Sequence, residues 1–286
     1  MAKKTEWREA LVRQLIADNG GRSPQEILEQ YAENLRMKAH QDKLPIKPWV
    51  IASCVGIKRR SGPHDFAGRI YAEPSGQLVM DIRETDSEER QHFTEAHELI
   101  HPAFAGFDTD GRYRLDATME RNAENKEEEF LCDLGAAALL MPRNLVENEY
   151  AVRNGLADAE RLAGDAEVSV EAAANRLIAL ADEPCVLLCM TWSHKPADRS
   201  ALRKGEPVAR ALRVSYALTN HLDIYVPKFK SAAEDSVFTR ARTSPMIQSE
   251  TTTLPGVDRA GLFRVQAKRY GNDNLERVLA IGRPTA

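Results

Sequence analysis

The chain has 286 residues, 43% of them hydrophobic and 29% charged, with a formal net charge of −4. This is enough for two or three domains, each with its own core. The balance excludes a protein that holds nucleic acid through a global basic field, and no apolar run approaches the roughly 20 residues needed to cross a bilayer.

The first residues, Met1-Ala2-Lys3-Lys4-Thr5-Glu6-Trp7, carry charge where a signal peptide would carry an apolar stretch. Cys54, Cys132, Cys185 and Cys189 form neither a disulfide framework nor a C-x-x-C pair. Cys185 and Cys189 sit among apolar residues and are expected to fill a strand interior. A reducing, cytoplasmic location is therefore expected.

Trp7, Leu11, Leu15 and Ile16 recur at helical spacing up to Asn19-Gly20-Gly21. Ser23-Pro24 offers an N-cap and a first-turn proline to a second helix striped by Ile27, Leu28, Tyr31 and Leu35. A short helical stretch then ends at Gly56, and Ile57 begins a strand. Ala67 to Ile82 reads as a β-hairpin turning at Pro74-Ser75-Gly76, with Asp81 and Arg83 as solvated charges at its end.

Thr85-Asp86-Ser87-Glu88 is a capping-box pattern opening a helix that carries His97-Glu98-Leu99-Ile100-His101. In a helix, imidazoles four positions apart project from one face, one turn apart, and can grip a single divalent ion. Glu98, roughly 100° further round, suits a general base that takes a proton from the attacking water. Pro102 ends the helix straight after His101 and disturbs its last turn.

Gly106 to Asn122 is a polar loop without the spacing of a calcium site. A long helix is expected from Glu120 to Met141, ended by Pro142.

A catalytic zinc site commonly has three protein ligands, and this motif supplies two. Phe104 and Phe107 stand where a metzincin needs glycine and histidine, so the third ligand is expected to be a glutamate from another helix. Glu124, Glu127, Glu128 and Glu129 are the candidates, most of them on a wet face. The Glu129 side continues as Cys132, Asp133 and Ala136, small residues that allow a close helix approach. Asp133 is placed to fix the tautomer of a ligand imidazole.

The segments Arg90 to His101 and Glu129 to Pro142, with their F-T-x-A-H-E and A-x-L-L-M-P blocks, resemble the ImmA/IrrE family of metallopeptidases. The resemblance implies that His97, His101 and Glu129 bind the metal, with Glu98 as the base. Zinc is the expected ion and manganese is compatible with the donors. The implied substrate is a helix-turn-helix repressor of the Xre type, whose cleavage derepresses stress or DNA-damage genes. The departures from the family pattern are His92, Ile100 in place of the usual glycine, and Pro102.

Residues 159–163 and 168–177 look like a helix-turn-helix, but Arg176 is the one base on the second helix, so direct DNA binding is not expected. From Pro184 the texture turns to strands: 186–192, 212–218, 224–226, 237–238, 262–265 and 278–281. This part resembles the GAF-like sensor domain of the same family by position and strand texture, and suggests a small-molecule signal.

The expected class is α+β. Residues 1–150 form a zincin-like metallopeptidase domain with a small antiparallel sheet, 151–183 a helix-turn-helix-like unit, and 184–286 a GAF-like α/β domain. The rival functions are a DNA-binding regulator with a structural or sensory metal site, and a mobile-element protease cleaving an immunity repressor.

Overall fold

A computed structural model describes residues 6–105, 112–114, 126–257, 260–271 and 276–285. The polar loop read at 106–122, the helix start read at 120–125, and with it Glu124, lie largely outside the described residues. No helix among the described residues is long and apolar enough to cross a membrane. The chain divides into two compact units, Met1–Leu145 with Gly164–Ser169, and Val146–Ala163 with Val170–Ala286.

The first unit runs α1 (Ala10–Asp18), α2 (Pro24–Lys38), α3 (Pro48–Cys54), β1 (Lys58–Gly62), β2 (Gly68–Ala72), β3 (Leu78–Arg83), α4 (Glu88–Glu98), β4 (Arg112–Arg114) and α5 (Lys126–Leu140). Ser23 caps α2 by accepting from the Glu26 backbone N–H at 3.3 Å, and Glu26 returns the bond to the Ser23 N–H. The strands are ordered β1-β3-β2-β4, with β2 and β3 forming the antiparallel hairpin read from the sequence; β1 runs parallel to β3, so the sheet is mixed and not the antiparallel one expected.

Asp81 and Arg83 are not solvated. Asp81 is buried and paired with Arg69 at 2.6 Å, and Arg83 reaches Asp86 at 3.0 Å. Alternation places Asp81 beside Arg69, its direct cross-strand partner, so the hairpin register makes the pair.

Two contacts hold α5 in place. Glu9 accepts hydrogen bonds from the backbone N–H groups of Glu127 and Glu128 (2.8 and 3.0 Å), satisfying donors that an α-helix start leaves open. Further along, Gly135 faces Ile100. A Cβ on residue 135 would stand 2.8 Å from Ile100 Cγ2. The bulk at Ile100 is thus accommodated by the absence of a side chain on α5.

Gly135→Ala should gain about 1 kcal/mol of helix propensity but lose about 1–3 kcal/mol to overpacking. The expected result is a net loss in denaturant unfolding, and combination with Ile100→Ala should cost less than the two changes summed. An additive pair would contradict the contact.

His92 fastens α4 to its surroundings: its ring nitrogens lie 2.7 Å from the Ile46 carbonyl oxygen and 3.0 Å from that of Glu167.

After α6 (Arg143–Glu149) and α7 (Leu156–Ala166), the second unit continues with α8 (Val170–Leu180), β5 (Cys185–Ser193), α9 (Arg199–Arg203), β6 (Ala211–Asn220), α10 (Val237–Thr243), β7 (Gln248–Thr252), β8 (Phe263–Tyr270) and β9 (Arg277–Pro284). Its five strands form an antiparallel sheet ordered β6-β5-β9-β8-β7. One face is apolar, with Val186, Leu188, Val265 and Ala280 packed in one cluster with Phe238 of α10.

The helices read as a helix-turn-helix are tied to this sheet. Glu160 accepts from Lys268 Nζ (2.6 Å) and Tyr270 Oη (2.9 Å), and Glu171 accepts from Tyr216 Oη (2.7 Å) and pairs with Arg277. Arg176 is 6% exposed, so it is not presented to a phosphate backbone.

Two strand expectations fail in this unit. Residues 224–226 are not a strand, and 237–238 open α10, because Ser236 caps the Thr239 N–H and Val237, Phe238 and Ala241 share a buried helical face. The polar strand β7 escaped a reading based on apolar alternation. Cys185 and Cys189 do fill the interior of β5.

Asp158, near the start of α7, accepts from the Ala151 N–H and Asn154 Nδ2, both at 2.8 Å, and from Arg161 Nη2 at 3.2 Å. Burial pushes its carboxyl up, but these three donors and the Arg161 charge outweigh that and hold it below the ordinary aspartate range. A lowered folded pKa means stability that is present above the unfolded value, about 3.9, and lost as the pH falls through the folded one. Asp158→Asn should therefore cost about 1–3 kcal/mol at pH 7, with the gap closing as the pH drops below about 4. A gap independent of pH in urea unfolding would contradict the ionised bonds.

Candidate metal centre

The helix that carries the motif begins at Ser87, whose side chain accepts from the Arg90 N–H; Thr85 is not the cap. Its α-helical run stops at Glu98. Leu99 and Ile100 keep right-handed backbone angles, and His101–Ala103 tighten into a 3₁₀ turn under Pro102. The irregular turn still brings the two imidazoles together, edge to face, with ring centroids 5.0 Å apart.

Helix α5 supplies three carboxylates to these rings. His97 Nδ1 is 2.9 Å from Asp133 Oδ1, and His101 Nδ1 is 3.1 Å from Glu128 Oε1. With both Nδ1 protons held by acids, each ring keeps its lone pair on Nε2. Both Nε2 atoms face Glu129: His97 Nε2 lies 3.2 Å from Oε2, and His101 Nε2 lies 3.8 Å from Oε1.

Two imidazoles and one carboxylate thus meet at one point inside the protein. His101 and Glu128 are both 0% exposed, and His101 Nε2 is a buried polar atom with no hydrogen-bond partner among the described residues. An ion at that point would supply the missing partner. The residues present fit a divalent metal.

Glu98, also fully buried, lies against β2 at Gly68, where a Cβ would stand 2.9 Å from Glu98 Oε1 and 2.4 Å from Thr94 Cγ2. Glycine at this position leaves the space that the Glu98 carboxylate and Thr94 fill.

Residues 55–178 match the family model of the IrrE N-terminal-like domain, Peptidase_M78. Over that stretch, a little under half of its length, the chain is similar to this family. No curated protein matches it in sequence. Among solved structures it shares a fold with a Mycobacterium tuberculosis transcriptional regulator: TM-score 0.61 at 13% identity, covering 96% of this chain and 79% of that one.

Two side chains compete to join the histidines. Cys132 forms with His97 and His101 a cluster whose donor atoms lie within 4.8 Å of one another, compact enough for a metal. Its sulfur, however, is 3.5 Å from His101 Nδ1, the nitrogen that faces Glu128 rather than Glu129. Burial, reinforced by the charges of Glu129, Glu128, Glu98 and Asp133, pushes the Cys132 thiol well up.

Of the other glutamates, Glu127 turns away to accept from the Arg8 and Glu9 N–H groups. Glu128 was legible only as one of a charged run, and its contact with His101 was missed. Its signal is helical phase, since 128 and 132 fall on one stripe and 129 and 133 on the next. Gly68 was also missed. A lone glycine inside an apolar strand is the cue for close backbone approach.

Proposed function

We propose that the chain is a metal-dependent endopeptidase in which His97, His101 and Glu129 hold one divalent ion and Glu98 is the general base. The observation that carries this reading is the shared target of the two Nε2 atoms and the Glu129 carboxylate, with each Nδ1 held by a separate acid. Zinc suits two imidazoles and a carboxylate, and manganese also fits. Such an ion acidifies water and polarises a carbonyl.

The chain's own side chains do the rest. Glu98 takes the proton of the attacking water and returns it to the leaving amine. Asp133 and Glu128 hold the rings in the tautomer that offers Nε2, and Gly68 leaves the room in which Glu98 stands.

The substrate is a helix-turn-helix repressor of the Xre type, cleaved in the cytoplasm to release stress or DNA-damage genes. The family match and the regulator among structural neighbours support that choice. The antiparallel sheet of the second unit supports a GAF-like sensor role for residues 184–286.

The test is incubation of the purified chain, with zinc or manganese, with the Xre-type repressors of its own organism, and mass spectrometry of the products. A discrete pair of fragments from one of them is expected. Repressors that all stay intact in the presence of a fully metal-loaded chain would refute this choice of substrate.

A further inference from the structure

The second unit holds a groove of about 350 Å³ with a mixed polar and apolar lining, formed by the turn at 152–155 and by β7, β8 and β9. Strand register sets its chemistry. Thr251, Arg264 and Arg283 are direct neighbours across these three strands, and Ser249 and Gln266 follow two positions along on the same face. Val265, between them in sequence, points into the apolar core on the other side. Glu250 also borders the groove but stands directly opposite Val265, and its carboxylate pairs with Arg240 of α10. Gln266 Oε1 accepts from the Leu156 N–H at 3.0 Å, fixing the turn that brings Arg153 to the groove.

The charge is unbalanced. Arg283 has a partner in Glu183 at 3.0 Å, but Arg153 and Arg264 have no ion-pair partner among the described residues. Like charges directly opposite on neighbouring strands are destabilising, so Arg264 beside Arg283 costs the fold stability. A bound anion would offset that cost. Guanidinium forks match the oxygens of phosphate and carboxylate, and the hydroxyls of Ser249 and Thr251 add further donors. The volume is at the small end of ligand pockets, and no aromatic ring lines it for a base to stack on.

We propose that this groove binds a small oxyanion, bearing phosphate or carboxylate, through Arg153, Arg264 and Arg283. Nothing in it depends on the metal centre, and its ligand would give the second unit a signal to read.

The test is calorimetric titration of the full chain with inorganic phosphate and, separately, with succinate, at fixed ionic strength. Arg153→Gln and Arg264→Gln are titrated in parallel. One of the two anions is expected to bind with a Kd on the order of 1 mM or below, and each variant to weaken it by about tenfold or more. The anion that binds names the headgroup. Without ligand, Arg264→Gln should melt no lower than the parent, because a repulsion has been removed. The proposal is overturned if neither anion binds by about 10 mM, if both variants bind as the parent does, or if Arg264→Gln melts lower.

Discussion

Glu98→Gln is expected to abolish peptide cleavage while leaving the metal bound. Glutamine keeps the size of the buried side chain beside Gly68, so the packing of β2 on α4 should persist. What it loses is the ability to take a proton from water and hand it on. General base–acid catalysis of this kind contributes about 10²–10⁴-fold. Since the proposed ligands are His97, His101 and Glu129, metal content by elemental analysis should stay near one ion per chain. A variant that still cuts the repressor at the parent rate would remove Glu98 from the chemistry. A variant that loses the ion would make it a ligand instead.

Glu129→Ala should do the reverse and empty the site. Acids that only orient a ligand imidazole are worth about 10–100-fold in metal affinity, which is the loss expected for Glu128→Gln or Asp133→Asn. A direct ligand should exceed that range, so Glu129→Ala should weaken zinc binding by more than about 100-fold in competition with a chelating dye. Cys132→Ser should change affinity little, because the Cys132 sulfur lies by His101 Nδ1. If Cys132→Ser empties the site and Glu129→Ala does not, the sulfur is the third ligand. The order of the four losses therefore separates ligands from the groups that hold them.

Much of the first unit was legible because its signals are local. The Ser23-Pro24 start, the hairpin around Gly76 and the His97–His101 spacing each follow from a few neighbouring residues. The third partner was not local. Within Glu127, Glu128 and Glu129, charge density gives no reason to prefer one, and only helical phase against α4 sends them respectively to Arg8 and Glu9, to His101 and to both rings. Resemblance to a family picked Glu129 where residue chemistry left four candidates.

Asp81 misled for a related reason. Its partner Arg69 is twelve positions away and meets it only through the register of β2 and β3. In the second unit, Val237-Phe238 carries residues favoured in strands, yet the Ser236 cap and the buried stripe through Ala241 impose a helix. The sheet edge β7, Gln248–Thr252, buries too little apolar surface to leave a hydrophobic pattern.

The central claim is that two imidazoles and the carboxylate of Glu129, without the Cys132 sulfur, surround one ion. X-ray absorption at the zinc edge of the zinc-loaded chain reads this directly, because sulfur and light atoms scatter differently and at different distances. The expected spectrum has only nitrogen and oxygen neighbours at about 2.0–2.2 Å, two of them imidazole. A sulfur shell at about 2.3 Å, or fewer than two imidazoles, would contradict the site described here.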